Sequence, residues 1–346
     1  MIPIQFTDRL QQSTTERTVL AADIGGTKAN LALYKISADG LSLVVSKQYH
    51  SSKFSSVGDI FKTFFTETGA DKPASICAGV AGAIVNDQAQ LVNLPWGISK
   101  AEVVTATGVE NVKLLNDLEA NSYGLAMLKD EDFITLNAGT AYPGNGAIVA
   151  PGTGLGEAGL YWDGHFYRPF ATEGGHCDFA PRTDIDTELH TYLKKIHGIV
   201  SWEHVVSGPG IHSIYSFMRD VKGMEEPEWL KDNMKIEDPS AAISEAALQN
   251  KADICVETMK LFVQYVARIC TIAALKFKAT GGIYLSGGIP PKTAELFKQD
   301  IFMQTYLACD RQQQLVEIVP VKIIMNDKAP MYGAAFYGAY SSESTK

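Results

Sequence analysis

Three short glycine-rich segments, each directly after an apolar run, are the first part of this sequence that could do chemistry. They are Asp23-Ile24-Gly25-Gly26-Thr27, Gly152-Thr153-Gly154-Leu155-Gly156 and Ser286-Gly287-Gly288. Glycines in a tight turn let backbone N–H groups approach an oxyanion that no side chain screens. A hairpin turn with glycine at positive φ is the simpler interpretation of any one segment. Three such segments in one chain favour the binding of phosphate or of a nucleotide.

The first of these turns also carries polar side chains that suit a nucleotide. Asp23 can orient a water molecule on Mg²⁺, and the Thr27 hydroxyl can add a hydrogen-bond donor. None of the three turns has the spacing of a P-loop, and none has the G-x-G-x-x-G pattern that opens the helix of a dinucleotide-binding βαβ unit. The sequence therefore favours a phosphate site of another kind.

Asn116 and Asp117 lie where a predicted strand, residues 112–115, ends and a helix begins. An aspartate at such a junction is most often the N-cap of the helix. The functional alternative is a carboxylate that accepts the proton of a sugar hydroxyl while the hydroxyl oxygen attacks phosphorus. The choice between the two depends on which other polar residues accompany Asp117.

Those companions are Glu173 and His176, which flank two glycines, and Glu203. Two carboxylates and an imidazole can hydrogen-bond the vicinal hydroxyls of a sugar, and such a polar pocket rejects analogues that lack a hydroxyl. Taken singly, each is typical of a surface residue or a helix cap. A metal site built from Glu173, His176 and Cys177 would fall short of four ligands.

The elements that must position these residues alternate between strands and helices, which indicates an α/β fold. Strands are predicted at residues 18–22, 29–36, 41–49, 75–81, 112–115 and 283–286, with Ala38-Asp39-Gly40 as a hairpin turn. Helices are predicted at residues 57–68, 117–128, 187–197, 209–220, 240–250 and 256–277, the last closed by Gly281-Gly282 as a C-cap.

The sequence partly repeats itself. When the segment that starts at Val19 is placed over the segment that starts at Ile148, both read as strand, glycine turn and second strand, at an offset of 129 residues. This repeat suggests a duplicated architecture with a cleft between the halves. Because no low-complexity linker separates them, the halves are expected to interlock through crossing segments.

Composition narrows the class of protein. A chain of 346 residues that is 46% hydrophobic can bury the cores of two domains. Its formal net charge of −9 supplies no long-range attraction to phosphate backbones or anionic lipid, so neither nucleic acid nor a membrane is expected as a partner. Five scattered cysteines without a Cys-x-x-Cys pair indicate neither a disulfide framework nor a zinc site.

Two segments bear on localisation. Residues 1–17 contain charges and glutamines where a signal peptide would need an apolar stretch. Residues 256–277 are apolar but interrupted by Lys260, Arg268 and Lys276, so they predict a buried helix and not a membrane span. A cytoplasmic protein is expected.

With these motifs, the sequence resembles the bacterial glucokinases of the hexokinase, actin and Hsp70 superfamily over about residues 19–340. The matching motifs are DIGGT at 23–27, Asn93 with Pro95-Trp96, ND at 116–117, GTGLG at 152–156, EGGHCDFAP at 173–181, SWEHVVSGPG at 201–210 and SGGI at 286–289. The EGGH-DFAP and E-x-V-SGPG blocks are specific to this family, whereas many sugar kinases share DIGGT.

The resemblance implies an α/β, two-domain actin-like (ribonuclease H-like) ATPase fold with duplicated βββαβα-type halves and a central cleft. It implies a small domain of residues 1–127 plus 327–346 and a large domain of residues 128–326. The C-terminal helix, near residues 331–340, would return to the small domain. Proteins of this family are commonly homodimers, so a homodimer is expected.

The resemblance also implies a glucokinase, which uses ATP to phosphorylate the 6-hydroxyl of glucose, with Asp117 as the catalytic base. The implied sugar ligands are Asn93, Asn116, Asp117, Thr153, Gly154, Glu173, His176 and Glu203. The implied ligands of ATP are Asp23, Gly25, Gly26, Thr27, Lys28, Gly152, Thr153, Gly154, Gly287 and Gly288, with Asp23 reaching Mg²⁺ through water.

Lys28 departs from the pattern, because glucokinases of this type often have asparagine there. The DIGGTK spelling is also common in the repressor/open-reading-frame/kinase (ROK) family, but the cysteine-rich zinc motif of that family does not follow Glu173-Gly174-Gly175-His176. A kinase for fructose, mannose or an N-acetylated hexosamine therefore stays open, as does the phosphoryl donor, whether ATP, ADP or polyphosphate.

Two alternatives come from other classes of protein. A non-catalytic sugar-sensing repressor would need a helix-turn-helix, which seventeen residues before the first strand hardly accommodate. An actin-like ATPase would not need a set of polar residues suited to a polyhydroxylated ligand. ATP hydrolysis that persists without sugar would favour that second alternative.

Overall fold

The computed structural model describes residues 2–91, 94–140 and 142–341. The chain divides into two units. The first comprises the described residues of Met1–Asp130, Asp163–Ala171 and Asn326–Lys346, and the second those of Glu131–Trp162 and Thr172–Met325.

The assignment of the segment Asp163–Ala171 differs from the prediction, which placed this segment in the large domain, residues 128–326. In the structure it belongs to the first unit, together with the N-terminal segment. The Tyr167 N–H donates to the Pro3 carbonyl at 2.8 Å, and the Gln5 N–H donates to the Tyr167 carbonyl at 2.9 Å. This pairing joins residues more than 160 positions apart, so local patterns along the sequence could not reveal it.

The elements alternate along the chain as an α/β fold requires. The strands are β1 (Arg17–Ile24), β2 (Lys28–Ser37), β3 (Gly40–His50), β4 (Ser75–Val80), β5 (Gln88–Gln90), β6 (Gly97–Ser99), β7 (Val112–Asn116), β8 (Phe133–Asn137), β9 (Gly146–Pro151), β10 (Leu155–Trp162), β11 (Tyr167–Thr172), β12 (Gly282–Leu285) and β13 (Val321–Ile324). The helices are α1 (Thr7–Gln12), α2 (Val57–Thr68), α3 (Lys100–Thr107), α4 (Asp117–Gly124), α5 (Asp184–His197), α6 (Gly208–Asp220), α7 (Glu228–Ile236), α8 (Pro239–Leu248), α9 (Asp253–Phe277), α10 (Ala294–Phe297), α11 (Asp300–Leu307), α12 (Gln313–Glu317) and α13 (Ala329–Tyr340).

The sheet of the first unit has the order β3-β2-β1-β4-β7. β1 is antiparallel to β2 and parallel to β4, and β4 is parallel to β7. The predicted hairpin is confirmed: Ser37 pairs with Gly40, which leaves Ala38 and Asp39 as the loop, and Gly40 has φ 119°. Every residue of β4 is buried, as expected for a parallel strand covered on both faces.

The part of the larger sheet that lies in the second unit has the order β10-β9-β12-β13-β8. β9 is antiparallel to β10 and parallel to β12, and β12 is parallel to β13. These relations repeat those of β2, β1, β4 and β7. The repeat seen in the sequence corresponds to the hairpins β1–β2 and β9–β10, so each half presents a glycine turn at the end of its first strand.

Helix ends show where local signals decide the structure. Helix α2 has the predicted bounds, because the Ser56 hydroxyl accepts the Asp59 N–H at its start and Gly69 takes φ 62° at its end. The predicted C-cap of α9 is wrong. Lys278 is the left-handed residue that ends this helix, at φ 49°, whereas Gly282 begins β12 at φ 125°. The predicted helix 117–128 is also too long, since α4 ends at Gly124 and a 3-10 turn follows.

Helix α9 is long and apolar enough to cross a membrane by length and composition, and 78% of its most apolar window is buried inside the protein. Phe262, Val266 and Ile269 lie in the hydrophobic core of the second unit. The prediction of a buried core helix is therefore confirmed.

The N-terminal segment, which could not be interpreted from the sequence, packs within the first unit. Ile4 and Leu10 are buried. Phe6 stacks on Tyr123 of α4 with ring centroids 6.3 Å apart, and the Arg9 guanidinium donates to the Tyr340 carbonyl of α13 at 2.6 Å. The segment thus binds the helix that begins with Asp117 to the C-terminal helix.

Candidate active site

Asp23 and Asn116 lie at the carboxyl ends of β1 and β7, two parallel strands of the first unit that flank β4. Asp23 pairs with Gly79, and Val80 pairs in turn with Asn116. The Asn30 side chain donates to the Asp23 carboxylate at 3.2 Å and accepts from Gln48 at 2.7 Å. The carboxyl ends of parallel strands are the usual place for ligand-binding groups in α/β folds.

Burial raises the pKa of Asp23, and the hydrogen bond from Asn30 opposes this shift. A carboxyl group with a raised pKa is poorly stabilised as an anion by the protein alone. A cation beside it would restore the carboxylate, which is the electrostatic setting expected of a group that acts on Mg²⁺. Asn30 was not predicted as a site residue. Counting residue pairs of the β1–β2 hairpin outward from its glycine turn would have placed Asn30 opposite Asp23.

The glycine turn after Asp23 is closed by its own backbone. The Gly25 N–H donates to the Lys28 carbonyl at 2.9 Å, and the Ser51 hydroxyl donates to the Gly25 carbonyl at 2.8 Å. The Gly25 amide is therefore used inside the turn. Thr27 and Lys28 are exposed, so they are the residues of this turn best placed to meet a ligand.

Asn116, and not Asp117, is the N-cap of α4, which corrects the commonest interpretation of this junction. The Asn116 side chain accepts the Leu118 N–H at 2.9 Å and donates to the Gly82 carbonyl at 3.2 Å. The Glu119 carboxylate completes a capping box by accepting the Asn116 N–H at 3.3 Å. Both polar atoms of the Asn116 amide thus hold the protein together at this point.

Asp117 is the first residue of α4 and is half-buried. One carboxylate oxygen, Oδ1, accepts the Leu118 N–H at 3.0 Å. The positive end of the helix dipole favours a carboxylate at this position. With Asn116 acting as the cap, Asp117 is not needed for that purpose, and it lies at the strand-to-helix junction beside Gly79 of β4.

In the second unit, the Glu203 carboxylate lies directly on the GTGLG turn. Its Oε2 accepts the Leu155 N–H at 2.9 Å, and a Cβ on Gly154 would lie only 2.5 Å from the same oxygen. The Gly152 N–H closes the turn on the Gly154 carbonyl at 2.8 Å, and the Gly208 N–H at the start of α6 donates to the Gly152 carbonyl at 2.8 Å. A predicted sugar ligand and a predicted nucleotide turn are therefore in contact.

Glu173 precedes a 3-10 turn that ends with His176, and both project into solvent, with 70% and 63% of their side chains exposed. Their charged atoms, Glu173 Oε2 and His176 Nε2, are 4.0 Å apart. The two glycines between them are required by close approach: a Cβ on Gly174 would overlap the Glu157 carboxylate, and one on Gly175 would overlap the Leu155 carbonyl. The loop thus lies flat against β10 and presents its two polar side chains outward.

The third glycine turn lies beside the second. Gly287 has φ 81°, and a Cβ there would overlap the Pro151 carbonyl. The Ile289 N–H donates to the same carbonyl at 3.3 Å. On the Cβ side of Gly288 no atom lies within 4 Å, and a Cβ on Gly152 would meet nothing closer than the Gly288 nitrogen at 3.8 Å. These two turns therefore offer bare backbone, which fits a nucleotide.

The loops that carry the polar residues are joined to each other. The Trp202 N–H donates to the Cys177 carbonyl at 3.0 Å, and the Phe179 N–H donates to the Val200 carbonyl at 2.9 Å. Asn93, predicted as a sugar ligand, lies outside the described residues. Within the ranges that the structure describes, no group of three or more His, Cys, Asp and Glu side chains is arranged to hold a metal ion.

The predicted site residues fall into two groups, one in each unit. The first unit holds Asp23, Gly25, Gly26, Thr27, Lys28, Asn116 and Asp117. The second unit holds Gly152, Thr153, Gly154, Glu173, His176, Glu203, Gly287 and Gly288. Buried Glu157, which underlies Gly174, and Arg268, which lies behind the polar loops, were not predicted to bear on the site.

The chain is similar to known proteins along nearly its whole length. The family model described as Glucokinase matches residues 20–340. A glucokinase from Nostoc punctiforme is 36% identical over 336 residues, covering 93% of this chain and 98% of that protein. The crystal structure of a glucokinase from an Antarctic psychrotroph has a TM-score of 0.80 at 30% identity and covers 93% of this chain and 99% of that chain. The crystal structure of the glucokinase from Balamuthia mandrillaris in complex with glucose has a TM-score of 0.76 and covers 97% of this chain and 98% of that chain. Because the two sequences are only 19% identical, this likeness supports the fold alone.

These matches span both units and every motif of the predicted site. They confirm the predicted two-domain, actin-like α/β fold and the predicted activity class. The chain belongs to the glucokinase family, whose members are ATP-dependent hexose kinases.

Proposed function

We propose that this chain transfers the terminal phosphate of ATP to the 6-hydroxyl of glucose, with Asp117 as the general base. The observation that carries the assignment of Asp117 is its position as the first residue of α4, directly after Asn116, which serves as the N-cap. The capping requirement of the helix is met by Asn116, so selection for a cap does not explain the aspartate. Asp117 directly follows β7, which pairs with β4, and β4 pairs in turn with β1, the strand that carries Asp23. This position supports a role in catalysis.

The sugar is recognised by Glu173, His176 and Glu203, whose acceptors and donors suit neighbouring hydroxyls. The contact of Glu203 with Gly154 supports this assignment, because it fixes one carboxylate against a turn proposed for the nucleotide. Asn116 takes part mainly by holding the strand-to-helix junction in place, as both of its amide atoms are engaged.

The backbone turns at Gly25–Lys28, Gly152–Gly154 and Gly287–Gly288 bind the phosphates and the remainder of ATP. The open face of Gly288 and the exposed Thr27 and Lys28 support this. Mg²⁺, when bound, neutralises charge on the phosphates, and Asp23 would hold it through water, in keeping with a carboxyl whose pKa burial has raised.

The reaction needs few covalent contributions from the protein. Asp117 accepts the proton of the 6-hydroxyl as that oxygen bonds to the γ-phosphorus, and the bond from this phosphorus to the β–γ bridging oxygen breaks to release ADP. Positioning by the sugar ligands makes the attack effectively intramolecular. Lys28 and the backbone amides stabilise the charge on the transferred group.

Glucose is proposed as the sugar because the relatives are named for it and because one structural neighbour was solved in complex with glucose. Fructose, mannose and N-acetylated hexosamines are the alternatives to be tested. A homodimer and a cytoplasmic location stay predictions.

Asp117→Asn tests the base. We expect kcat to fall by roughly 10²- to 10⁴-fold, the range for loss of a general base, while the KM for glucose stays within about tenfold. Asp184→Asn is a matched control, since Asp184 is also the first residue of a helix, α5, and is exposed. Wild-type turnover by Asp117→Asn would remove Asp117 from this role. An equal loss in Asp184→Asn would point to helix stability as the cause.

A further inference from the structure

A buried ion pair lies behind the loops of the second unit that carry the proposed sugar ligands. Arg268 of α9 donates from Nη1 to Asp186 Oδ2 at 2.8 Å, and the two side chains are only 5% and 3% exposed. Pairs this deeply buried gain little stability over well-packed apolar residues, because both charges lose their hydration. Stability alone therefore does not account for this pair.

Arg268 contacts two polar loops, the one that carries Glu173 and His176 and the one that carries Glu203. Its Nη2 donates to the Ala180 carbonyl, in the segment that follows Glu173 and His176. Its guanidinium also lies over the rings of Phe179 and Trp202, with centroid distances of 5.6 and 5.1 Å. These two rings meet edge to face at 5.0 Å. One loop is thus held by a hydrogen bond and an aromatic face, and the other by an aromatic face beside Glu203.

Asp186 extends the same network to helix α5. Its Oδ2 accepts the N–H groups of Arg182 and Thr183 at 2.8 and 3.0 Å, and its Oδ1 accepts the Tyr265 hydroxyl at 2.9 Å. The ion pair therefore connects α9, the start of α5 and both polar loops. A carboxylate with this many donors is fixed in position, and it fixes the guanidinium in turn.

We propose that Arg268 is a positioning residue for glucose: it sets the separation of the Glu173–His176 loop from Glu203 through Ala180, Phe179 and Trp202. This role rests on the proposed function, because it takes those three residues as the sugar ligands. Arg268 itself is 4% exposed and lies behind the aromatic layer, so it acts through the loops and does not touch the sugar.

The geometry requires arginine and not merely a positive charge. A planar guanidinium can bond Asp186 and Ala180 from two nitrogens while its faces stack on aromatic rings, whereas the lysine ammonium is a single point charge on a flexible stem. Arg268→Lys keeps the charge opposite Asp186 and loses the bond to Ala180 and the stacking. The loops are then expected to lose their fixed separation while the buried charge remains balanced.

We expect Arg268→Lys to raise the KM for glucose by roughly tenfold, while the KM for ATP stays within about twofold and kcat within about threefold. Phe179→Leu, which removes the ring face but keeps apolar volume, should raise the KM for glucose by a smaller factor, and it carries the test if the lysine variant is insoluble. Arg219→Lys is the matched control, since Arg219 is ion-paired to Glu226 in the same unit, away from the polar loops. It should leave both KM values unchanged.

Glu203→Gln, measured in parallel, separates this proposal from the proposed function. If Glu203→Gln leaves the KM for glucose unchanged, the assignment of the sugar ligands fails, and with it the basis for a positioning residue. If Glu203→Gln raises that KM but Arg268→Lys and Phe179→Leu do not, the ligands stand and the positioning role is refuted. Loss of thermal stability in Arg268→Lys with both KM values rising equally would show a purely structural role and would also refute it.

Discussion

Replacing Gly154 with alanine tests the contact between Glu203 and the GTGLG turn with one methyl group. The new Cβ would lie 2.5 Å from Glu203 Oε2, whereas ordinary contact begins at 3.4 Å. The carboxylate must therefore retreat by about 0.9 Å. Because this oxygen accepts the Leu155 N–H at 2.9 Å, such a shift stretches the hydrogen bond beyond useful length. The φ of Gly154 is not in the left-handed region, so alanine brings no backbone strain of its own.

Loss of a hydrogen bond to a charged group costs about 1.5–3 kcal/mol. If the shifted carboxylate also loses its proposed hydrogen bond to a glucose hydroxyl, a loss of this size raises the KM for glucose by roughly 10- to 140-fold, since about 1.4 kcal/mol corresponds to a factor of ten. An assay that couples glucose 6-phosphate formation to reduction of NADP⁺ gives the KM for each substrate in turn. Thermal unfolding of the variant reports separately on the lost Leu155 hydrogen bond, which lowers the stability of the folded protein whether or not glucose is bound.

Gly152→Ala is the matched control in the same turn. A Cβ there would meet nothing closer than the Gly288 nitrogen at 3.8 Å, so it leaves Glu203 undisturbed. Its effect is expected on the KM for ATP, with the KM for glucose within about twofold of wild type. Equal KM values for glucose in Gly154→Ala and wild type would refute the assignment of Glu203 as a sugar ligand.

Two further predictions concern stability. Burial raises the pKa of Glu157, and the charge of Lys276 acts against this shift. The native state therefore binds the proton of the Glu157 carboxyl group more tightly than the unfolded chain does. Because of this, the native state loses stability as pH rises through the folded pKa. Glu157→Gln should therefore raise the free energy of unfolding in guanidinium chloride more at pH 8 than at pH 5, and an equal gain at both would contradict it. Leu10→Ala in the N-terminal helix should lower the free energy of unfolding by about 2–5 kcal/mol and leave kcat unchanged, because Leu10 is buried. The control Gln12→Ala, at an exposed position of the same helix, should stay within about 0.5 kcal/mol of wild type. If Leu10→Ala loses no more stability than Gln12→Ala, the segment is not part of the folded core.

Local signals in the sequence predicted the elements whose ends are set by nearby residues. Ser56 and Gly69 bracket α2 as N-cap and left-handed terminus, and the Ala38-Asp39 loop fixes the register of β2 against β3. The glycine turns followed from apolar strands ending in Gly-Gly or Gly-x-Gly. Phosphate or nucleotide binding was predicted because three such turns occur in one chain together with polar residues. The resemblance to glucokinases then implied the role of each residue.

What the sequence could not reveal depends on contacts between distant residues or on competition between neighbours. The pairing of Tyr167 with Pro3 assigns Asp163–Ala171 to the first unit, and no local pattern predicts it. Asn116 and Asp117 are both good caps, and only the structure shows which of them caps α4. Likewise, a lysine at φ 49° ended α9 before the glycines that were expected to do so.

Within the site, the sequence named the polar ligands but not the residues that hold them. Asn30 reaches Asp23 across a hairpin, and Arg268 reaches Ala180 from 88 positions away. Supporting residues of this kind carry no motif, because their partners lie far away in the sequence or across a sheet. They become visible only when the strands and helices are packed.

The central claim, that this chain uses ATP to phosphorylate the 6-hydroxyl of glucose, is tested most directly by identifying the products from a panel of hexoses. Purified protein is incubated with ATP, Mg²⁺ and glucose, fructose, mannose or N-acetylglucosamine, and ³¹P NMR follows ADP and the sugar phosphate. We predict glucose 6-phosphate and ADP in equal amounts, with kcat/KM for glucose at least about tenfold above that for each other sugar. A higher kcat/KM for another hexose, or ADP formed at the same rate without any sugar, would contradict it.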